Sequence, residues 1–380
     1  TRASGGTALR KISYGNELLT NGTFDTDISG WEGSHGTSTQ EFDNGTIKLG
    51  HTGYNQWSRQ VISGLVVGNT YQVKFSVTND TQGSGGGSFV GMYLNNSDYS
   101  YFLRFNYTRG VVRSYTFDFT ATATTSQIRL YKGSNTGTTN FDNVSVKERL
   151  YDQPDGTLQL WNHSNNEPRI EYDATGAVKG LLIEEARTNM LTYSNDFTNA
   201  AWTKARAEID TPYVSPDGSS NASKFISTSG ESTARTYRSL VGSFNSGGSM
   251  TGFMKAGSSG VYGWIEAVCS GGVRAYAVFN LENGTVVNSD LCSASLEPVG
   301  NGWFRCVVAN IGVACTYYGI GGSDNTFTGN PWDNSRLTTG KFIYIYGAQF
   351  EAGSFPTSYI PTSGSTATRA ADVATIPTSA

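Results

Sequence analysis

The chain has 380 residues, room for two ordinary domains, and only 15% of them are charged. Its polarity comes from Ser, Thr, Asn and 46 Gly, while aromatics reach 12% and run along the whole length, which excludes a disordered Gly/Ser chain. The net charge of -4, without a basic patch, excludes nucleic acid as a partner, and no stretch nears the ~20 apolar residues that a membrane-spanning helix needs.

Taken in chain order, the sequence reads as strands separated by Gly, Asn, Ser and Asp. Residues 1–15 form an N-terminal tail. No charged segment followed by an apolar run opens it, so no secretory signal is expected. Tyr71–Val77, Phe89–Leu94, Val111–Phe119, Gln127–Lys132 and Phe141–Val146 follow as strands; Tyr71–Val77 and Gln127–Lys132 alternate apolar with polar residues. Residues 149–187 hold two turn signals around Ile170-Glu171-Tyr172. Leu158, Leu160, Trp161 and Tyr172 make this segment too apolar for a solvated linker, so it reads as a β-rich connector. Leu181–Thr188 is the best helical candidate. Ala275–Leu281, Phe304–Ala309 and Phe342–Tyr346 are further strands, and residues 356–380 form a C-terminal tail. Both tails are too short and polar to fold alone and are expected to dock on neighbouring subunits.

An internal repeat divides the chain. Asn16, Leu18, Phe24 and Trp31 in the first half answer Asn189, Leu191, Phe197 and Trp202 in the second, one sandwich domain apart. The expected fold is all-β: two tandem jelly-roll β-sandwiches, residues 16–148 and 188–355, joined by the connector. In each, the opening segment seals the edge beside the closing strand. Trp31, Trp202 and Trp303 are expected in the core. A shorter echo links Thr1-Arg2-Ala3-Ser4 to Thr368-Arg369-Ala370-Ala371.

Two resemblances rest on specific residues. The runs LLTNGTFD (18–25), GW (30–31), QV (60–61), LVVGNTYQV (65–73) and FDNVSV (141–146) make residues 16–148 similar to carbohydrate-binding modules of the family-4/9/22 kind. The runs GLLIEEARTN (180–189), YSNDF (193–197), VGNGWFR (299–305), GAQFEAG (347–353) and FPTSYIPT (355–362) make residues 149–376 resemble a module common in phage tail, fibre and head-decoration proteins. The second resemblance implies a virion protein on the surface of a bacteriophage particle, with other virion proteins as partners. The first implies a structural calcium ion tying the opening strand to the closing one, with Asp25 and Asp142 as the matching side chains and backbone carbonyls near Thr23 and Lys48 as further ligands. Surface turn caps are the plainer reading of the two acids. The second module has Thr198 where the first has Asp25.

Enzyme motifs are missing from the sequence. It has no Gly-x-Ser-x-Gly, His-Glu-x-x-His or P-loop pattern, and only three His, none at metal-ligand spacing. The carboxylate pairs Glu171/Asp173 and Glu184/Glu185 carry no signal of a shared cleft, and Glu184 and Glu185 beside Arg187 read as an ion-pair network. Sugar rings stack on flat aromatic faces, so Tyr54, Trp57, Tyr93, Arg129 and Tyr131 are the candidate glycan-binding residues. Strand parity puts Arg129 and Tyr131 opposite the core-facing Ile128 and Leu130. The plainer reading packs these aromatics under the loop 79–88 or against another subunit. Cys269, Cys292, Cys306 and Cys315 read as buried free thiols, with one or two disulfides as the alternative.

The expected function is a non-enzymatic structural or adhesive subunit of a phage particle (fibre, tail or capsid decoration). It would form a symmetric homo-oligomer, such as a trimer, and bind host-surface polysaccharide. The alternatives are a polysaccharide-degrading tail spike and a dedicated glycan-binding receptor-recognition protein.

Overall fold

The computed structural model describes residues 6–34, 40–50, 56–80, 89–94, 99–104, 112–132, 137–165, 167–173, 175–229, 235–239, 247–324 and 329–373. The chain forms two compact units. The smaller is Ile12–Gln153; the larger combines Thr1–Lys11 with Pro154–Ala380.

The smaller unit is a sandwich of two antiparallel sheets. In one, the closing strand Thr138–Tyr151 is the spine. Ile47–Gly50 and the chain from Ile12 to Glu17 pair with it, as does Thr70–Asp80, which in turn pairs Arg113–Thr120. The other sheet runs Glu32–Gly33, Gln56–Ser63, Thr125–Lys132, Phe89–Leu94, Tyr99–Arg104. Alternation decides which side is core: Val73, Phe75 and Val77 meet Val90, Met92, Ile128 and Leu130. Gln72 and Ser76, on the other side of their strand, are also buried, which parity alone did not indicate.

The opening segment is sewn to the closing strand. Leu18 donates its N–H to the Val146 carbonyl (3.0 Å), and the Val144 N–H donates to Gly22 (2.8 Å). The approach is so close that a methyl group at Gly22 would overlap the Val144 carbonyl oxygen. Gln60 binds both the N–H and the carbonyl of Thr20 (2.8 and 2.9 Å), fastening the segment to the other sheet as well. Trp31, buried against Phe24, donates its indole N–H to the Asn21 carbonyl (3.1 Å).

The larger unit is a second sandwich of two six-stranded sheets. One runs Thr203–Ala205, Arg235–Ser239, Cys315–Ser323, Tyr262–Cys269, Arg274–Asn280, Thr285–Asp290. The other runs Ala207–Tyr213, Ala222–Ser227, Phe342–Ala352, Gly248–Ala256, Phe304–Ile311, Ser293–Pro298. Trp202, Phe225, Ile265, Ile320, Ile345 and Phe350 fill the space between them. Trp202 repeats the role of Trp31: it packs on Phe197 and donates to the Tyr193 carbonyl (2.8 Å). Trp303 is buried in a separate aromatic cluster with Phe253, Tyr346 and Tyr359.

Four expectations need correction. The larger unit is not a plain tandem successor of the smaller one, because it takes chain from both sides of it. The strand Thr157–His163 pairs with the strand Gly6–Glu17, whose first residues, through Lys11, belong to the larger unit. The described part of the C-terminal tail docks on its own unit: Ala367–Arg369 pairs with Arg187–Asn189, and Tyr359, Ile360 and Arg369 are buried. Its polarity is that of buried paired charge. Arg169 reaches Glu184 and Asp372 (2.6 Å each), and Arg369 reaches Glu184 (2.8 Å). Leu181–Thr188 is not helical. It falls between two short strands, and the α-helix among the described residues is the single turn Pro331–Asn334. Cys269 and Cys315, cross-strand partners, form a disulfide, whereas Cys292 and Cys306 are free thiols.

The larger unit therefore receives the smaller one as an insertion. The Lys11 ammonium donates to the Pro154 carbonyl (3.1 Å), so the chain leaves and returns at nearly one point. Replacing residues 12–153 with a short Asn-Gly-containing turn is expected to leave a larger unit that melts in one cooperative calorimetric transition. Loss of that transition would contradict the division.

Candidate functional site

The strand Thr125–Lys132 lies at the centre of its sheet. Ser126, Ile128, Leu130 and Lys132 point inward and are buried; Gln127, Arg129 and Tyr131 stand on the other face, partly exposed. The neighbouring strand Gln56–Ser63 alternates in the same way, with Trp57, Arg59 and Val61 outward. The register pairs Tyr131 with Trp57, Arg129 with Arg59 and Gln127 with Val61. On the other flank, Phe89, Gly91 and Tyr93 lie opposite Tyr131, Arg129 and Gln127. Gly91 brings no side chain to the row it shares with Arg129.

These residues form one layer. The Trp57 indole is flanked by two guanidinium groups, Arg129 at 4.7 Å and Arg59 at 5.2 Å from the ring centre. Both arginines, Arg129 and Arg59, donate to the Gln127 side-chain amide oxygen Oε1 (3.2 and 3.3 Å), and Arg59 also pairs with Glu32 (2.9 Å). The guanidiniums are thereby held at fixed angles around a flat apolar ring. Such a surface offers stacking for the C–H face of a sugar and forked donors for its oxygens.

Trp57, Arg129 and Tyr131 thus share one face, and the backbone of Tyr93 lies in the same row as Gln127. The Tyr93 side chain and all of Tyr54 lie outside the described residues, as do residues 81–88 of the loop expected to cover the aromatics, whose first two residues end the strand Thr70–Asp80. Sequence reading missed Arg59, Gln127 and Glu32. The signal for Arg59 was present, because it stands two residues from Trp57 in an alternating strand.

Asp25 and Asp142 sit where the opening segment meets the closing strand. The Thr23 hydroxyl donates to Asp25 (2.8 Å); the Asn143 backbone N–H and side-chain amide donate to Asp142 (2.6 and 2.8 Å). Burial pushes the Asp142 carboxyl above its ordinary range, the Asn143 N–H opposes that shift, and the Asp25 charge adds to it. Neither acid forms an ion pair among the described residues. No group of three or more His, Cys, Asp or Glu side chains is gathered for a metal there or elsewhere among the described residues. The pair fits a hard cation in charge, with backbone oxygens needed to complete the shell. Thr198, at the matching place in the larger unit, donates instead to Asp196 (2.6 Å).

The carboxylates weighed for catalysis line a cavity of about 540 Å³ in the larger unit, which Glu171, Asp173, Glu184 and Glu297 border. Each is engaged: Glu171 with Lys179, Glu184 with Arg169 and Arg369, and Glu297 with Arg305. Asp173 accepts from the Thr175 and Ala177 N–H groups (2.8 and 3.0 Å) and caps a turn. Glu185 pairs with Arg187 outside this cavity.

No model of a known protein family matches the chain, and no curated protein matches it. Among solved structures, a CBM4 module is 21% identical over 34% of this chain and 99% of its own, with a TM-score of 0.29. An N-terminal CBM22 tandem domain from Paenibacillus barcinonensis is 12% identical over 89% of this chain and 98% of its own, at 0.27. The enzymatically active domain of bacteriophage CBA120 tailspike protein 4 is 15% identical over 35% of this chain, at 0.29; the match spans 21% of that protein.

A carboxyl whose pKa is raised in the folded state favours folding at low pH, and that contribution is lost as pH rises through the folded value. At pH 7 in EDTA, Asp142→Asn is therefore expected to melt higher than the parent, with the gap closing at pH 3. A lower melting temperature for Asp142→Asn at pH 7 would contradict the assigned cost of burying the charge.

Proposed function

We propose that this chain is a non-enzymatic structural and adhesive subunit of a bacteriophage particle, in a fibre, tail or capsid decoration, that holds host-surface glycans on the outer face of its smaller unit. The observation that carries the binding part is the Trp57 ring with the Arg59 and Arg129 guanidiniums beside it, on a sheet whose opposite face is core. Polar groups converge around an aromatic platform there, with no acid and base paired across a gap among the described residues, which suits holding rather than cleaving.

The phage part rests on the resemblance of the larger unit's sequence runs. Those runs serve as frame. Asn189 is fully buried and donates to the Ala348 and Ile360 carbonyls (3.1 and 2.9 Å), while Glu184 joins Arg169 and Arg369. Buried polar locks of this kind suit a module whose task is shape. Other virion proteins and further copies of the chain are its proposed partners. Calcium at Asp25 and Asp142 is proposed as a structural cofactor. It would relieve their repulsion, and 1 mM calcium is expected to raise the melting temperature of the parent but not of Asp142→Asn.

The rival reading, a polysaccharide-degrading spike, draws on the acid-lined cavity of the larger unit. Its carboxylates are engaged as described, so incubation with host capsule is expected to release no reducing ends. For the favoured reading, Trp57→Ala and Arg129→Ala are each expected to weaken binding of a host-surface oligosaccharide at least tenfold, about 1.4 kcal/mol, by titration calorimetry. Unchanged affinity in both variants, or steady release of reducing ends, would overturn it.

A further inference from the structure

The larger unit carries a second layer of the same composition, built from unrelated positions. On the strand Tyr262–Cys269, Ile265, Ala267 and Cys269 belong to the core, so Trp264 and Glu266 stand on the outer face. Their partners on the next strand are Gly321 and Gly319. Beyond these lie Arg235, opposite Gly321, and Tyr237, opposite Gly319. Gly319 and Gly321 bring no side chains to the two rows between these residues. An added methyl at Gly319 would meet the Glu266 carbonyl, Trp264 and Tyr237 at ordinary contact distance (3.6, 3.6 and 3.8 Å), and Trp264 is fully buried there with its indole N–H on the Gly322 carbonyl (3.2 Å).

Trp332 comes to this face from the single helical turn Pro331–Asn334. The Arg235 guanidinium lies 3.6 Å and that of Arg274 4.7 Å from its ring centre, and the Tyr237 ring meets it edge-on at 5.1 Å. Glu266, almost fully buried, anchors the group. It pairs with Arg274 and accepts the Trp332 backbone N–H (3.0 Å). Glu266 thereby neutralises Arg274. Arg235 is left without a carboxylate among the described residues, and its Nε is buried without a hydrogen-bond partner. Arg206 and Arg274 add positive charge around it; Glu266 and Tyr237 act the other way.

A partly buried guanidinium, stacked on an indole and without a salt-bridged carboxylate among the described residues, calls for an anion held against an aromatic face. We propose that the face formed by Arg235, Trp332 and Tyr237 binds an acidic saccharide. Its carboxylate would take the free edge of Arg235, and its ring would lie against Trp332 and Tyr237. The inference stands on residues of the larger unit alone and does not depend on the Trp57 face.

The full chain carrying Trp57→Ala isolates this site. Oligogalacturonate and polysialic acid are the carboxylated probes and a malto-oligosaccharide is the neutral one, followed by titration calorimetry. At least one acidic probe is expected to bind ten times or more tightly than the neutral one. Arg235→Gln and Trp332→Ala are each expected to weaken that binding at least tenfold, and Arg235→Lys, which keeps charge but loses the fork, to weaken it less. A circular dichroism melt within 2 °C of the parent would show each variant folded. No binding of either acidic probe, equal affinity for the neutral one, or affinity unchanged in folded Arg235→Gln would overturn the proposal.

Discussion

Each sandwich is closed by one interaction: an indole N–H donating to the carbonyl of a residue whose backbone is bent into the left-handed region. Trp31 binds Asn21 (φ 50°), and Trp202 binds Tyr193 (φ 55°). A phenylalanine packs on each ring, Phe24 and Phe197. Burying a ring of this size stabilises by roughly 3 kcal/mol, and the hydrogen bond adds ~1 kcal/mol while satisfying a polar atom that would otherwise be stranded in the core. The bend carries the opening segment across the open end of the sandwich. In the smaller unit this lets Gly22 and Leu18 bond the closing strand. With the core closed in this way, chemistry is left to the outer sheet faces.

Those faces carry related solutions. Trp57 packs with Arg59 and Arg129, and Trp332 with Arg235 and Arg274, although the first tryptophan is on a strand and the second on a helical turn. Stacking fixes where the cations sit, and carboxylates fix how they turn: Glu32 on Arg59, Glu266 on Arg274. A preset face of this kind loses little freedom when it takes a ligand. The carboxylates around the larger unit's cavity are committed instead to arginines, a lysine and a turn.

Much of this was legible in the sequence, and the gaps have physical causes. Alternation gave many of the strands and the outward pair Arg129 and Tyr131, because a strand that buries one face has little choice of register. The repeat gave the closing tryptophans. An ion-pair network at Glu184 was legible, but its partners were not: Arg169 and Arg369 come from distant parts of the chain and are buried against it, with Asp372 on Arg169. For the same reason the C-terminal segment read as a tail. The insertion was hidden because the pairing of Gly6–Glu17 with Thr157–His163 spans the whole smaller unit. Trp332 sits in a Gly- and Asn-rich stretch with no period, and only the fold brings it to Arg235.

Fluorine NMR of the chain with 5-fluorotryptophan at all seven tryptophans tests the central claim most directly, as ligand is added. On titration with an acidic host oligosaccharide, the resonances of Trp57 and Trp332 should move while those of Trp31 and Trp202 stay fixed. Shifts confined to the core tryptophans, or no shift at any of them, would contradict it.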